Sequence, residues 1–276
     1  TDGKQMVKNL NTALGWLMRA GYAARGLVYL VVGGLALFAA INGGEAEGTT
    51  GALAYIFARP LGAFLLAFIG AGLFAYTLWR LVDGVMDLEN EGDDVEGYAN
   101  RAGQIMSGLT HAVLGVSALT ILWKGHASDD GNSAANWSAM LMQHPAGRAL
   151  VIAAGATTLG VGIYLFIKAW QASYRKDIRC TPITERLAPF LRYGLAAHGF
   201  VLLIVGGLIL YAGLTAHAEH AVGFGEALEK LETQPFGRTI LGATGVGLMG
   251  FALYCFVLSR YRIVPRLASA DLPTLG

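Results

Sequence analysis

The chain has 276 residues, of which 54% are hydrophobic and only 14% are charged. Soluble domains usually carry about 25% charged residues, so the composition excludes an ordinary water-soluble globular protein. Lys and Arg number 20 and Asp and Glu number 19, and the formal net charge of +1 argues against nucleic acid as a partner.

The first predicted element is a short amphipathic helix over residues 4–18. Val7, Leu10 and Leu14 recur at helical spacing, opposite Lys4. Such a pattern is typical of a helix that lies on the surface of a membrane. An ordered N-terminal extension of the first membrane span is the alternative interpretation.

Six long apolar runs follow, and each has about 20 residues, enough to cross a bilayer. Fifteen of the 20 Lys and Arg lie on the side that holds both termini, so the positive-inside rule predicts that both ends are cytoplasmic. The predicted spans lie near 22–41, 61–82, 103–123, 148–169, 193–214 and 237–259.

The six spans belong to one two-span unit that occurs three times, at approximately 14–82, 98–170 and 190–259. In each unit the first span has two glycines seven residues apart, and a proline precedes the second span. Because these positions stay in phase, they indicate a tandem triplication. The repeated residues are Gly26, Gly33 and Pro60, then Gly108, Gly115 and Pro145, then Gly199, Gly206 and Pro235.

The repeats predict an all-α integral membrane protein of six transmembrane helices with pseudo-threefold symmetry. Each unit contains two spans, so the three copies have the same orientation and are related by an axis along the membrane normal. Small residues let membrane helices pack backbone to backbone, and we interpret the glycines as packing residues rather than pore-lining residues. Short amphipathic helices are predicted before each proline, on the external face.

Two phrases of the repeat resemble a known family. Gly21-Tyr22-Ala23-Ala24-Arg25-Gly26-Leu27-Val28-Tyr29 and the downstream Gln234-Pro235-Phe236-Gly237-Arg238 are similar to the DUF1206 family of bacterial membrane proteins. The resemblance covers nearly the whole chain and implies three copies of a two-span unit in a bacterial inner membrane. The second copy departs most, with Ser107 where the first has Arg25. The resemblance implies no activity and no catalytic residues.

Ionisable groups inside membrane spans are costly and therefore mark candidate sites. Arg25, Ser107 and His198 hold the same position of the repeat, and Tyr29 and His111 hold the position one turn deeper. If the first helix of each unit lines the axis, these five residues form a polar belt in the cytoplasmic half of the bundle. We refer to them below as the polar belt.

Three interpretations of the polar belt are open. In the first, Arg25 reaches lipid phosphates while the histidines are neutral and bond to neighbouring helices. In the second, the belt binds an anionic group such as a lipid head group or a small acid. In the third, His111 and His198 ligate a haem or relay protons.

The remaining motifs give less evidence of a functional site. His217 and His220 have the spacing of zinc ligands on a helix, but further ligands are not visible, so no metal site is predicted. Arg80 and Asp83, three residues apart, are expected to pair on one helix face. No nucleotide-binding or nucleophile motif occurs in the sequence.

These observations favour a non-enzymatic inner-membrane protein with no cofactor. We expect it to hold membrane lipids or another amphiphile, or to serve as an accessory subunit of another membrane protein. A conduit for small solutes or ions along the pseudo-threefold axis is one alternative, and a haem-binding electron carrier is the other.

Overall fold

The computed structural model describes residues 2–44, 46–126 and 133–264, and in this part of the chain the regular structure is helical. Side chains are described from residue 11 onwards, with the exception of Ser133 in the fifth helix. The α-helices are α1 (Asp2–Asn42), α2 (Thr49–Phe57), α3 (Gly62–Met86), α4 (Val95–Lys124), α5 (Ser133–Met142), α6 (Gly147–Trp170), α7 (Pro182–Thr215), α8 (Phe224–Glu232) and α9 (Gly237–Tyr261).

Six of these helices, α1, α3, α4, α6, α7 and α9, are long and apolar enough to cross a membrane. They coincide with the six predicted spans, and the prediction of a multi-pass, all-α membrane protein is confirmed. Residues 4–18 are continuous with the first span, because α1 runs without interruption from Asp2 to Asn42. We call the end of the bundle at which α1 begins and α9 ends the terminal end, and the opposite end the lid end.

The short helices α2, α5 and α8 lie at the lid end, and each ends shortly before the proline of its repeat. The glycine two residues after that proline begins the next span. A Cβ atom at Gly62 or Gly237 would collide with carbonyl oxygens of the preceding short helix, so glycine is needed for this sharp corner. Leu61 and Phe236 adopt left-handed backbone conformations with φ of 62° and 60°, whereas Ala146 of the second repeat does not.

The most extensive helix interfaces join successive repeats: α3 packs on α4, α6 on α7, and α9 on α1. This order is cyclic, because the second span of each repeat contacts the first span of the next. The repeated glycines lie in these interfaces, and a Cβ atom would lie 2.7 Å from Gly245 O if added at Gly33, 3.3 Å from Thr77 O at Gly108, and 3.0 Å from Gly162 O at Gly199.

Within a repeat, the two spans contact each other in the first and third copies but not to any comparable extent in the second. Helix α1 packs on α3, and α7 packs on α9, while α4 and α6 share no such interface over their described lengths. The helices therefore follow a pseudo-threefold order in which one edge is open. Among the short helices, α2 contacts α8, whereas α5 packs against α6 and the segment around residues 218–220.

The packing role of Gly33 predicts that adding one methyl group destabilises the protein there but not at its neighbour. Alanine is favoured over glycine by about 1 kcal/mol in a helix, so Gly34→Ala, where nothing lies within 4 Å of the added Cβ, should leave stability unchanged or increase it. Gly33→Ala forces α1 away from α9 and should cost about 1–3 kcal/mol. Thermal unfolding in detergent measures both variants. Equal melting temperatures for the two would contradict the packing role.

Candidate functional site

The structure brings the five residues of the polar belt together between α1, α4 and α7. The imidazole of His198 lies against the ring of Tyr29, with their ring centres 4.8 Å apart. The Arg25 guanidinium carbon lies 5.6 Å from the centre of the same Tyr29 ring. Ser107 and His111 approach Arg25 through a residue that the sequence analysis did not select, Tyr76 of α3.

Tyr76 connects the two halves of the polar belt. Arg25 Nη1 donates to Tyr76 Oη at 2.8 Å, and Tyr76 Oη lies 3.2 Å from Ser107 Oγ. The His111 ring packs against Tyr76 with the ring centres 4.5 Å apart. The predicted belt drew on the first helix of each repeat, and the structure adds α3, the second helix of the first repeat, to its lining.

Phe251 of α9 makes the corresponding contribution from the third repeat. The His198 ring stacks on it at 4.0 Å, and the Arg25 guanidinium carbon lies 4.9 Å from its centre. Tyr76 and Phe251 both stand sixteen residues after the proline of their repeats, where the second repeat has Val161. Aligning the repeats at their prolines shows from the sequence that the three positions are equivalent, and the structure shows that two of them contact the belt.

Arg25 is a half-buried cation without an acidic partner. Its surroundings are the hydroxyl group of Tyr76 and the aromatic rings of Tyr29, Tyr76 and Phe251. Among the residues whose side chains are described, no carboxylate forms an ion pair with it. Its Nε atom is buried and has no hydrogen-bond partner.

Both histidines of the polar belt also hold a buried nitrogen without a partner. His111 Nδ1 lies 2.7 Å from the carbonyl oxygen of Ser107, and a carbonyl can only accept, so Nδ1 carries the proton. His111 Nε2 is then an acceptor in the neutral imidazole, and it has no donor. His198 Nδ1 is likewise buried and unpaired. Three unsatisfied polar atoms from α1, α4 and α7 therefore occupy one region.

A chain of hydrogen bonds leads from the belt towards the terminal end. Arg80 donates to Tyr76 Oη at 3.2 Å, to Tyr22 Oη at 2.8 Å and to Asp83 Oδ2 at 2.7 Å. The predicted pairing of Arg80 with Asp83 is confirmed. Arg80 also contacts Glu89 at 3.3 Å.

Arg262, directly after α9, completes this charged cluster by pairing with Glu89. Burial alone would raise the pKa of Glu89, but Arg262 and Arg80 outweigh it and lower the pKa from 4.5 to about 2. Glu89 itself raises the pKa of Arg262 well above its usual value, against the effect of burial. Each guanidinium of this cluster has a carboxylate partner, in contrast to Arg25.

Other polar residues outside the belt have local roles. Asp94 caps the start of α4 by accepting from Gly97 N at 2.8 Å, and Asp87 accepts from Glu91 N at 2.7 Å. The rings of His217 and His220 lie 5.8 Å apart. Within the described ranges, His, Cys, Asp and Glu do not come together in a group of three that could hold a metal ion.

Comparisons with known proteins agree with the repeated organisation. The chain matches the family described as Domain of Unknown Function (DUF1206) three times, at residues 20–87, 102–172 and 193–262. The uncharacterised protein YxxB of Bacillus subtilis (strain 168) is 29% identical over 248 residues, which cover 88% of this chain and 90% of that protein. No solved structure matches the chain.

The ion pairs of Glu89 predict that neutralising this side chain destabilises the bundle. Glu89→Gln leaves Arg262 buried without its anion, which should cost about 3–5 kcal/mol at pH 7, measured as a lower thermal unfolding temperature. Glu229 is exposed and provides a control, so Glu229→Gln should have the same unfolding temperature as the wild type.

The loss of stability caused by Glu89→Gln should depend on pH. Because the folded-state pKa of Glu89 is depressed, its contribution is fully present above pH 4.5 and is lost as the pH falls towards about 2. The difference in unfolding temperature between wild type and Glu89→Gln should therefore narrow over this range. A difference that is the same at pH 7 and pH 3 would show that the carboxylate charge is not responsible.

Proposed function

This chain belongs to the DUF1206 family, and from the geometry of the polar belt we propose that it is a non-enzymatic binding protein for an anionic membrane amphiphile. The observation that carries the proposal is Arg25, whose half-buried guanidinium has a buried, unpaired Nε atom and no carboxylate partner. The proposed ligand supplies the missing anion from its head group.

The charge of Arg25 sets the first requirement for the ligand. A buried cation is stable only when an anion or several hydrogen bonds compensate it. Arg25 donates to Tyr76 Oη at 2.8 Å, and three aromatic rings surround its guanidinium. The planar guanidinium group is suited to bidentate contacts with phosphate or carboxylate oxygens.

His111 sets the second requirement. Its Nδ1 donates to the Ser107 carbonyl, so its buried Nε2 needs a donor, which an anionic oxygen cannot provide. A head group that carries a hydroxyl group beside its anionic oxygen satisfies both Arg25 and His111. A glycerol phosphodiester has this chemistry.

The surroundings of the belt favour a ligand that comes from the bilayer. The belt lies within span-length apolar helices. Towards the lid end, Leu53 and Ile56 of α2 and Leu228 of α8 are buried, and these two short helices contact each other. An amphiphile reaches such a position from the membrane without crossing an apolar lid as a free anion.

We place the protein in the bacterial inner membrane with both termini in the cytoplasm, because Lys and Arg are concentrated on the side of the terminal end. A green fluorescent protein fused to either terminus should then fluoresce. An alkaline phosphatase fusion at the C-terminus should be inactive, and activity of that fusion would contradict the orientation.

The proposed role of Arg25 predicts a loss of lipid binding on substitution. The protein purified in mild detergent is mixed with dioleoyl phosphatidylglycerol or dioleoyl phosphatidylcholine and observed by native mass spectrometry. Wild type should retain phosphatidylglycerol selectively. Arg25→Gln removes charge-assisted hydrogen bonds of about 1.5–3 kcal/mol and should weaken binding about tenfold or more.

Arg59 offers a matched control, because it is exposed at the lid end. Arg59→Gln should bind phosphatidylglycerol as wild type does. Equal retention of the two lipids by wild type, or equal binding by Arg25→Gln, would contradict the proposal. A Soret absorption band in the purified protein would instead identify haem as the ligand of the histidines.

The role of His111 predicts a preference for a head group with a hydroxyl group. Phosphatidylmethanol has the charge of phosphatidylglycerol but lacks the hydroxyl groups, so wild type should bind it less tightly, by about 1 kcal/mol for one hydrogen bond. His111→Phe should remove this preference while keeping selectivity for anionic lipids. An unchanged preference would show that His111 does not accept from the head group.

A further inference from the structure

The open edge of the helix arrangement lies between α4 and α6, and the sequence of the second repeat explains it. In the first repeat a Cβ atom added at Gly72 would meet Ala24, and in the third repeat one at Gly247 would meet Ala197. These small pairs let the two spans of a repeat touch. The equivalent residues of the second repeat, Met106 and Thr157, are larger, and both are exposed. We call the space between these two spans the α4–α6 seam.

A second glycine position shows the same difference. Gly21 lies against the backbone of Tyr76, and Gly194 lies against the backbone of Gly250. Their equivalent in the second repeat is Gly103, which has nothing within 4 Å of a Cβ atom. The helix contact that closes the first and third repeats is thus absent in the second repeat, although its glycine is present.

The α4–α6 seam leads to the polar belt. Ser107 follows Met106 on α4 and contacts Tyr76, the partner of Arg25. Three residues at the centre of the helix arrangement are nevertheless partly exposed, namely Arg25, Ser107 and Val161. At the equivalent positions of the closed third repeat, His198 is 2% exposed and Phe251 is 1% exposed.

The walls of the seam are suited to hydrocarbon. Met106 and Val161 are apolar. The hydroxyl groups of Thr110 and Thr157 donate to carbonyl oxygens of their own helices, at 2.9 Å to Met106 O and 2.8 Å to Ala153 O. They therefore leave no unsatisfied donor on the wall, and a lipid chain can lie against them without loss of hydrogen bonds.

We propose that the α4–α6 seam is the lateral port of the binding site and holds the acyl chains of the amphiphile whose head group lies at Arg25. This inference rests on the proposed function and adds the route by which the ligand enters from the bilayer. The apolar seam leads to the unpaired guanidinium of Arg25, so its occupant should have both hydrocarbon chains and an anionic group, as an anionic lipid does. A helix of a partner protein would fill the seam but would leave Arg25 without its anion.

The test narrows the port while leaving the head-group site intact. Thr157→Trp places a large ring on the α6 wall of the seam, whereas Ile163→Trp places the same ring on another exposed part of α6. In native mass spectrometry with dioleoyl phosphatidylglycerol, Thr157→Trp should bind about tenfold more weakly than wild type, and Ile163→Trp should bind as wild type does.

A photoactivatable phosphatidylglycerol with a diazirine on its acyl chain locates the chain directly. After excess lipid is washed away, adducts in wild type should lie at Met106, Thr110, Thr157 or Val161. Met106→Trp on the α4 wall, with Leu119→Trp on another exposed face of α4 as its control, repeats the test if Thr157→Trp does not fold. Thermal unfolding establishes which variants are folded.

The outcomes separate the port from the binding function. Retention of phosphatidylglycerol by wild type, its loss in Arg25→Gln and equal retention by Thr157→Trp and Ile163→Trp would overturn the port and leave the binding function standing. Adducts confined to other helices would also overturn the port. Failure of wild type to retain any anionic lipid would overturn the binding function. A dimer in wild type that Thr157→Trp dissociates would show that a second copy occupies the seam.

Discussion

Close approach of helix backbones at glycine is the constraint on which the rest of this structure depends. In a membrane the lipid chains are as apolar as the side chains, so helices associate through van der Waals contact and small residues rather than through the hydrophobic effect. The contact between Gly33 and Gly245 joins the first and last spans, and its counterparts at Gly108 and Gly199 join the other repeats. Because the second span of each repeat packs on the first span of the next, the first and last spans of the chain pack together, and the one open edge lies between α4 and α6.

This arrangement places Arg25 among aromatic rings at the centre of the bundle. Its lack of a carboxylate partner distinguishes it from Arg80 and Arg262, which pair with Asp83 and Glu89. A protein that needed only stability could hold an apolar residue at this position, as replacing buried charges by apolar groups is often neutral or favourable. An unpaired guanidinium together with two histidine nitrogens in need of partners is better explained by a ligand that completes them.

The second repeat differs from the other two in the contact between its own two spans. Met106 and Thr157 replace an alanine and a glycine, and the two spans that they separate are the only pair within a repeat, among the described helices, that lacks an extensive contact. The first and third repeats keep the contact between their two spans, and the second repeat lacks it. Tandem duplication favours this division, because one copy can change at an interface while the other two maintain the fold.

The sequence alone determined the six spans, the three repeats and the residues of the polar belt, because apolar run length and repeat phase are properties of the chain itself. Alignment of Arg25, Ser107 and His198 placed them at one depth. Tertiary structure decided which helices are neighbours, and it added Tyr76 and Phe251 to the belt and Glu89 and Arg262 to the charged cluster. The open α4–α6 seam was also decided there. These features depend on contacts between residues far apart in the chain, such as the pair of Glu89 and Arg262, and repeat phase carries no information about which surfaces meet.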